Sequence, residues 1–393
     1  MKSSFYKQDK VSTFLSPNKI SLGAGAAKQV GIESRALCGK KALIVTDPGV
    51  VKAGLIDGIQ ESLESEKIDM GVYDRVVAEP PARVIDESAR IAREEGYDII
   101  IGIGGGSSLD AAKGASIMAT NKGRVLDYAG VDMIPKGGLP KILLPTTGGT
   151  GSEATRVFVV TDEEENTKKV VYSNFNLADV AIIDPLLSIS MPPAVTADTG
   201  IDALVHAIEA YVSVNATPFS DILAIEAIRL IAENLPIAYA KGSNIEARYN
   251  MALAANLAGL AFTSGGLGGV HGLAYVLGTE YHMSHGRSNA IMLPHVMDYN
   301  KIGNLDRCAQ VARAMGEHIQ GLCAYEAAGK SIGAIKKLLE AVDISIRLPD
   351  YGIRKEDLPR LVQGGMKQAR LFVPNPRDLT KEDVEKIYKM ALI

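Results

Sequence analysis

The residues best suited to chemistry lie in two clusters, and the first is built on histidine. The stretch 271–286, HGLAYVLGTEYHMSHG, holds His271, His282 and His285, three of the six histidines in the chain. Upstream, DTGIDALVHAIEAY (198–211) places Asp202 and His206 four residues apart, so on a helix they face the same way. A lone buried Asp–His pair is more often structural than metal-binding. One carboxylate with two or three imidazoles, drawn from two helices and the loop after the second, instead suits a divalent cation such as Fe²⁺ or Zn²⁺. No thiolate accompanies them, which disfavours a structural zinc site. His282 stays open between ligand, proton shuttle and exposed loop residue. Glu209, one turn beyond His206, either orients a ligand or takes a solvated or capping role. His295 reads as a core or loop residue and His318 as a solvated helix position.

The second cluster is built on glycine. In IGIGGGSSLDAAKG (101–114) an apolar run meets Gly104, Gly105, Gly106 and Ser107 and then a helical pattern carrying Asp110. Glycines let a backbone approach a phosphate, and the helix start offers free N–H groups and the positive end of its dipole. The spacing is neither G-x-G-x-x-G nor a P-loop, and a tight turn that binds nothing weighs equally. A second loop, LPTTGGTGSEATR (144–156), shifts that balance with hydroxyls at Thr146, Thr147 and Thr150. Two such loops at the carboxyl ends of strands fit the two phosphates of a dinucleotide. Asp47, closing the run KALIVTD, either accepts from ribose hydroxyls, which favours NAD over NADP, or caps a turn. The early run Gly23-Ala-Gly25 reads as a turn.

These clusters need elements to hold them. Continuous apolar runs at 41–47, 70–77, 97–104 and 141–147, separated by helical patterns, predict an α/β domain with a parallel sheet covered on both faces. After Asp184-Pro185 and Pro192-Pro193 nearly everything has helical periodicity, as at 195–213, 220–235 and 246–262. The boundary is therefore set near 190. Residues 1–190 form a nucleotide-binding domain and 191–393 an all-helical metal-binding one, with a cleft expected between them. At 393 residues, 47% hydrophobic and 22% charged, the composition is that of an ordinary globular protein. A net charge of −4 supplies no basic field for nucleic acid or anionic lipid. MKSSFYKQDKVSTF lacks an apolar leader core, and no run of about 18 uncharged apolar residues suggests a membrane span. Three sparse cysteines point to a reducing compartment, so a cytoplasmic location is expected.

Taken together, GGGSSLDAAKG, PTTGGTGSEATR, DTGIDALVHAIEAYVS and GGVHGLAY…SHGRSNAIMLPHV resemble the iron-containing (group III) alcohol dehydrogenases over nearly the whole chain. The resemblance implies a dehydroquinate synthase-like architecture, with an NAD(P)-binding α/β domain, a helical domain and the active site between them. It also implies the metal ligands Asp202, His206, His271 and His285, with pyrophosphate on Gly104–Ser107. Asp47, Thr146 and Thr147 would lie near the cofactor, Lys169 would reach a ribose hydroxyl, and Leu186 would border the nicotinamide side. The reaction it implies is reversible hydride transfer between NAD and a small primary alcohol or diol, by a homo-oligomer, a dimer or larger. Fe²⁺ is the expected ion, with Zn²⁺ the alternative. A zinc-dependent, glycerol-type polyol dehydrogenase or another dehydroquinate synthase-like enzyme is the nearest rival, and a non-catalytic binding protein is the rival of another class. Two positions depart from the family. Tyr275 stands where many members carry a proton-relaying histidine, and Ser264, with Gly265 and Gly266, where an asparagine is more usual. Since a tyrosine hydroxyl titrates near 10, Tyr275 is expected to shape the pocket while His282 or water carries the proton.

Overall fold

The computed structural model describes residues 11–165 and 167–393; the leader reading at 1–10 lies outside them. The chain divides into two compact units, Leu15–Ser190 and Met191–Ile393, and the described residues 11–14 group with the latter. The Phe14 ring lies 5.7 Å from that of Phe219.

In the first unit the described residues form β1 (Lys19–Leu22), β2 (Lys41–Val45), β3 (Asp69–Tyr73), β4 (Ile99–Gly104), β5 (Gly130–Val131), β6 (Lys141–Pro145), β7 (Val157–Asp162), β8 (Thr167–Tyr172) and β9 (Val180–Ile183). Six of them make a wholly parallel sheet in the order β1-β9-β6-β4-β2-β3. The helices are α1 (Val30–Ala36), α2 (Pro48–Lys52), α3 (Asp57–Ser65), α4 (Ala82–Glu94) and α5 (Gly106–Thr120). Strand residues alternate between two separate cores. Leu43, Val45, Ile100 and Leu143 join the α4 and α5 side, while Ile44, Ile99, Ile101 and Ile142 join Val30, Ile59 and Leu63 on the other. A sheet buried on both faces needs apolar residues at every position, which is why these strands show no alternation in sequence. The antiparallel hairpin β7–β8, paired Val157↔Tyr172 through Asp162↔Thr167, was passed over by the sequence reading although VFVVTD alternates in burial as an exposed-face strand should.

The second unit is helical throughout its described residues. Its site-bearing helices are α6 (Pro193–Val212), α7 (Pro218–Ala240), α8 (Ile245–Gly265), α9 (Gly269–Tyr281) and α10 (His285–Asn300), around one continuous apolar core. Between α8 and α9 the chain turns by 109°. No single helix among the described residues is long and apolar enough to cross a membrane. Two local expectations change. His285 opens α10 rather than lying in a loop, because the Ser284 side chain accepts from the Arg287 N–H and starts the helix there. His318 is exposed, but on an irregular segment after the helix ending at Ala314.

Candidate functional site

Asp202 and His206 share one face of α6, His271 lies in the first turn of α9 and His285 is the first residue of α10. One ligand atom from each lies within 4.8 Å of the others. The imidazoles of His206 and His271 stack at 4.9 Å, those of His271 and His285 stand at 5.3 Å, and Phe262 packs on His206 at 4.7 Å. Asp202, His206 and His271 are buried, whereas the His285 side chain is 37% exposed and forms the open side.

Glu209 holds this arrangement in register. Its Oε2 lies 2.6 Å from His271 Nδ1, and its Oε1 accepts from the Val270 N–H at 2.6 Å. It therefore caps the start of α9 and fixes His271 with Nδ1–H turned away, leaving the Nε2 lone pair toward Asp202 and His285. That position is buried, so the sequence alternative of a solvated Glu209 does not hold. Burial disfavours the imidazolium of His271, but the adjacent charge and hydrogen bond of Glu209 outweigh it and raise its pKa. Burial likewise works against the Asp202 carboxylate, yet His206, His285, His271 and the Asn289 amide together hold it below the usual range.

His285 is placed by the residues around it in SHGR. Arg287 Nε donates to Asp198 Oδ1 and Ser284 Oγ to Asp198 Oδ2, at 2.6 and 2.7 Å. A Cβ on Gly286 would come within 2.3 Å of the Asp198 carbonyl oxygen, so glycine lets α10 press directly onto α6. Gly265 serves a similar purpose against α6, since a Cβ there would lie 2.8 Å from the Ala210 carbonyl oxygen. Asn289, one turn after His285, went unnoticed in the sequence. It is fully buried, and its Nδ2 donates to Asp202 Oδ1 at 2.7 Å. The spacing of four from His285 was the available signal.

The donor set fits a divalent cation. One carboxylate and three imidazoles converge, one imidazole is oriented by a carboxylate behind it, and three of the four residues are buried. Tyr275 packs its ring 5.9 Å from that of His285. His282 is the left-handed cap of α9, with φ +54° and an exposed side chain, seven residues beyond Tyr275 and so about 10 Å further along the helix axis. His295 is buried, with Nε2 on the Ile346 carbonyl.

In the first unit, the ends of the adjacent strands β2, β4 and β6 carry Asp47 and the two glycine loops to one edge of the sheet. Gly104 has φ +145°, and Gly106 packs so closely on Thr150 that a Cβ would lie 2.8 Å from its Cγ2. Gly105 faces Thr147, and the Thr146 N–H donates to the Gly104 carbonyl. The loops therefore form one surface beside the start of α5. Asp47 caps α2 through Gly49 and Val50 and accepts from Ser108 Oγ at 2.9 Å, so the capping alternative describes its hydrogen bonds. Ser107 Oγ accepts from the Glu79 N–H. Asp110 accepts from Ser152 Oγ and the Val159 N–H, bracing α5 against the second loop. Behind them Lys113, with no exposed surface, donates to Ser152 Oγ, Thr155 Oγ1 and the Val157 carbonyl, and burial pushes its ammonium down to about 8. Lys169 lies opposite Val160 on the β7–β8 hairpin and pairs with Glu165. Leu186, half-exposed after β9, follows Asp184, whose carboxylate accepts from Gly25, Ala27 and Leu186 and ties down the turn at Gly23–Gly25.

Residues 17–185 match the family model described as iron-containing alcohol dehydrogenase, and residues 196–392 its C-terminal counterpart. The chain is 44% identical over 384 residues to long-chain-alcohol dehydrogenase 1 of Geobacillus thermodenitrificans, covering 97% of each. The crystal structure of a 1,3-propanediol oxidoreductase superposes with a TM-score of 0.95 at 42% identity, over 97% of this chain and 100% of that one. Sulfoacetaldehyde reductase from Bifidobacterium kashiwanohense, solved in complex with NAD⁺, gives 0.89 at 28% identity over 98% and 99%. Its sequence matches, its two-part architecture and the buried carboxylate–imidazole cluster agree: the chain belongs to the iron-containing alcohol dehydrogenase family.

Proposed function

We propose that the chain is an NAD(H)-linked alcohol dehydrogenase and aldehyde reductase for small primary alcohols or diols, with Fe²⁺ or Zn²⁺ held by Asp202, His206, His271 and His285. The observation that carries this reading is the convergence of those four ligand atoms within 4.8 Å. Family membership makes it an alcohol oxidoreductase. NAD is supported by the double glycine loop and by the NAD⁺ complex of a relative.

When bound on Asp202, His206, His271 and His285, a divalent cation would supply Lewis acidity for the substrate oxygen, and NAD would supply the hydride acceptor. The residues of this chain set the conditions. Glu209 keeps the His271 Nε2 lone pair directed inward. The clamp of Ser284 and Arg287 on Asp198 fixes where His285 begins α10. Gly104, Gly105, Gly106 and Ser107 offer a close backbone surface and a helix start for pyrophosphate, with Thr146, Thr147 and Thr150 alongside. Lys169, Leu186, Asp110 and Asp47 complete the assignment, Asp47 contributing ribose contacts in addition to its cap. The alcohol proton passes to water on the flank where His285 is exposed, and Tyr275 walls that flank. The enzyme is read as cytoplasmic and as a homo-oligomer, and light scattering on the purified protein tests the oligomeric state.

The test is an NAD(H) assay across C2–C6 alcohols, diols and aldehydes on protein loaded separately with Fe²⁺ and Zn²⁺. Activity should disappear with chelator and in His271→Ala. Turnover that survives both would overturn the metal-dependent mechanism.

A further inference from the structure

Asn289 Nδ2 occupies an unusual position for an amide. It is 2.7 Å from Asp202 Oδ1, 3.1 Å from His271 Nε2 and 3.2 Å from His285 Nε2. Three ligand atoms from three helices thus converge on one nitrogen, which has only two protons to give. They are three of the four residues assigned above to the cation. The carbonyl end of the same side chain, Oδ1, is buried and has no hydrogen-bond partner among the described residues. An amide in the protein interior ordinarily satisfies both ends, so this one is committed to the ligand atoms at the expense of its own oxygen.

We propose that Asn289 is a placeholder for the cation: its NH₂ group holds Asp202, His271 and His285 together while the site is empty of metal and gives them up when the ion binds. The chemistry requires an exchange. An imidazole Nε2 has a single lone pair, so His271 and His285 cannot accept from an N–H and ligate a cation at the same time, and a cation repels the positive end of the amide. The position of Asn289 on α10, one turn from His285, allows the swap by side-chain rotation alone. The unpartnered Oδ1 lowers the cost of leaving, since rotation breaks no bond at that end. Asn289 is therefore a positioning residue whose bonds favour the metal-free state, and it competes with the ion it prepares for. This inference rests on the metal reading above.

The test compares parent, Asn289→Ala and the milder Asn289→Ser, each stripped with chelator and titrated with Zn²⁺ in a metal buffer while the melting temperature is followed. Removing the placeholder should lower the melting temperature of the stripped protein more than that of the loaded one. The Zn²⁺-induced rise should therefore grow, and apparent affinity should tighten by about tenfold or more, the scale of one hydrogen bond to a charged group. A purely structural asparagine would lower both melting temperatures equally and leave affinity unchanged, which would overturn the proposal. Weaker Zn²⁺ binding in the variants would overturn it too, by showing that Asn289 favours the loaded state. If even the parent shows no Zn²⁺-induced shift, the metal reading itself falls. Should Asn289→Ala not fold, Asn289→Ser carries the comparison alone.

Discussion

Replacing Glu209 with glutamine changes one oxygen to an NH₂ group and little else in shape, which makes the arithmetic of its site transparent. The carboxylate serves two donors, the Val270 N–H and the His271 Nδ1–H, each at 2.6 Å. The backbone N–H cannot change, so the glutamine oxygen must stay on Val270 and its NH₂ must face His271. Two donors then confront each other. His271 relieves the clash by moving its proton from Nδ1 to Nε2, and the nitrogen assigned to the cation loses its lone pair. The Nδ1 contact survives with its direction reversed, but a charged hydrogen bond has become a neutral one about half as strong, which costs about 1 kcal/mol of folding stability. Metal affinity should fall about 10- to 100-fold, the scale for removing a partner that orients a ligand. The assay is Zn²⁺ competition against a chromophoric chelator, alongside the thermal melt of stripped protein. A folded Glu209→Gln variant that binds Zn²⁺ within twofold of the parent would refute the tautomer argument.

Other expectations are separable from that one. Tyr275→Phe and His282→Ala should each keep turnover within about twofold, because Tyr275 packs on His285 through its ring and His282 is an exposed cap; a loss of tenfold or more at neutral pH in either would move the proton path onto that residue. Gly106→Ala would bring a Cβ within 2.8 Å of Thr150 and part the glycine loops, so the Kd for NADH by fluorescence titration should rise at least about tenfold, and an unchanged Kd would place the dinucleotide elsewhere. The Lys113 ammonium falls to about 8 in the folded protein from an ordinary 10.5. Between those values the unfolded chain binds more protons, so stability rises with pH there, by up to about 3 kcal/mol. Against Lys113→Met, the parent should gain that much between pH 7.5 and 10.5 in urea melts, and parallel curves would refute it. Native protein at pH 8 should take up iodoacetamide at the exposed Cys38 and Cys323 but not at Cys308, whose thiol burial pushes up to about 12; mass spectrometry reads the difference.

How much of this was legible in the sequence depended on how local each signal was. Asp202 and His206 announce themselves because four residues are one helical turn, and the turn is a property of the backbone. The continuous apolar run IIIGIG told of a doubly covered sheet for a similar reason, since burial on both faces leaves no polar position to find. Asn289 carried no comparable mark. Asparagine is common on helices, and its role exists only where α6, α9 and α10 meet. The same holds for Gly286 and Gly265, whose missing side chains mean little until another helix is pressed against them. The hairpin β7–β8 was readable in VFVVTD but competed with the charged run at 162–165 that joins its strands. Asp47 shows the opposite case: an acid at the end of a strand and before Pro48 is legible as a cap, and its carboxylate accepts from Gly49 and Val50.

Lys113 has a consequence beyond its titration. An ammonium has three protons, and here each has a taker: one on the serine of the second glycine loop, one on the threonine after it, one on the carbonyl that begins β7. Helix, loop and hairpin are thereby surveyed from a single fixed point, like three walls measured from one nail. Arginine would misplace that point, and methionine would erase it. A chain that kept every glycine of both loops but lost this one nitrogen would keep the shape of each part while losing the common origin from which their distances are set.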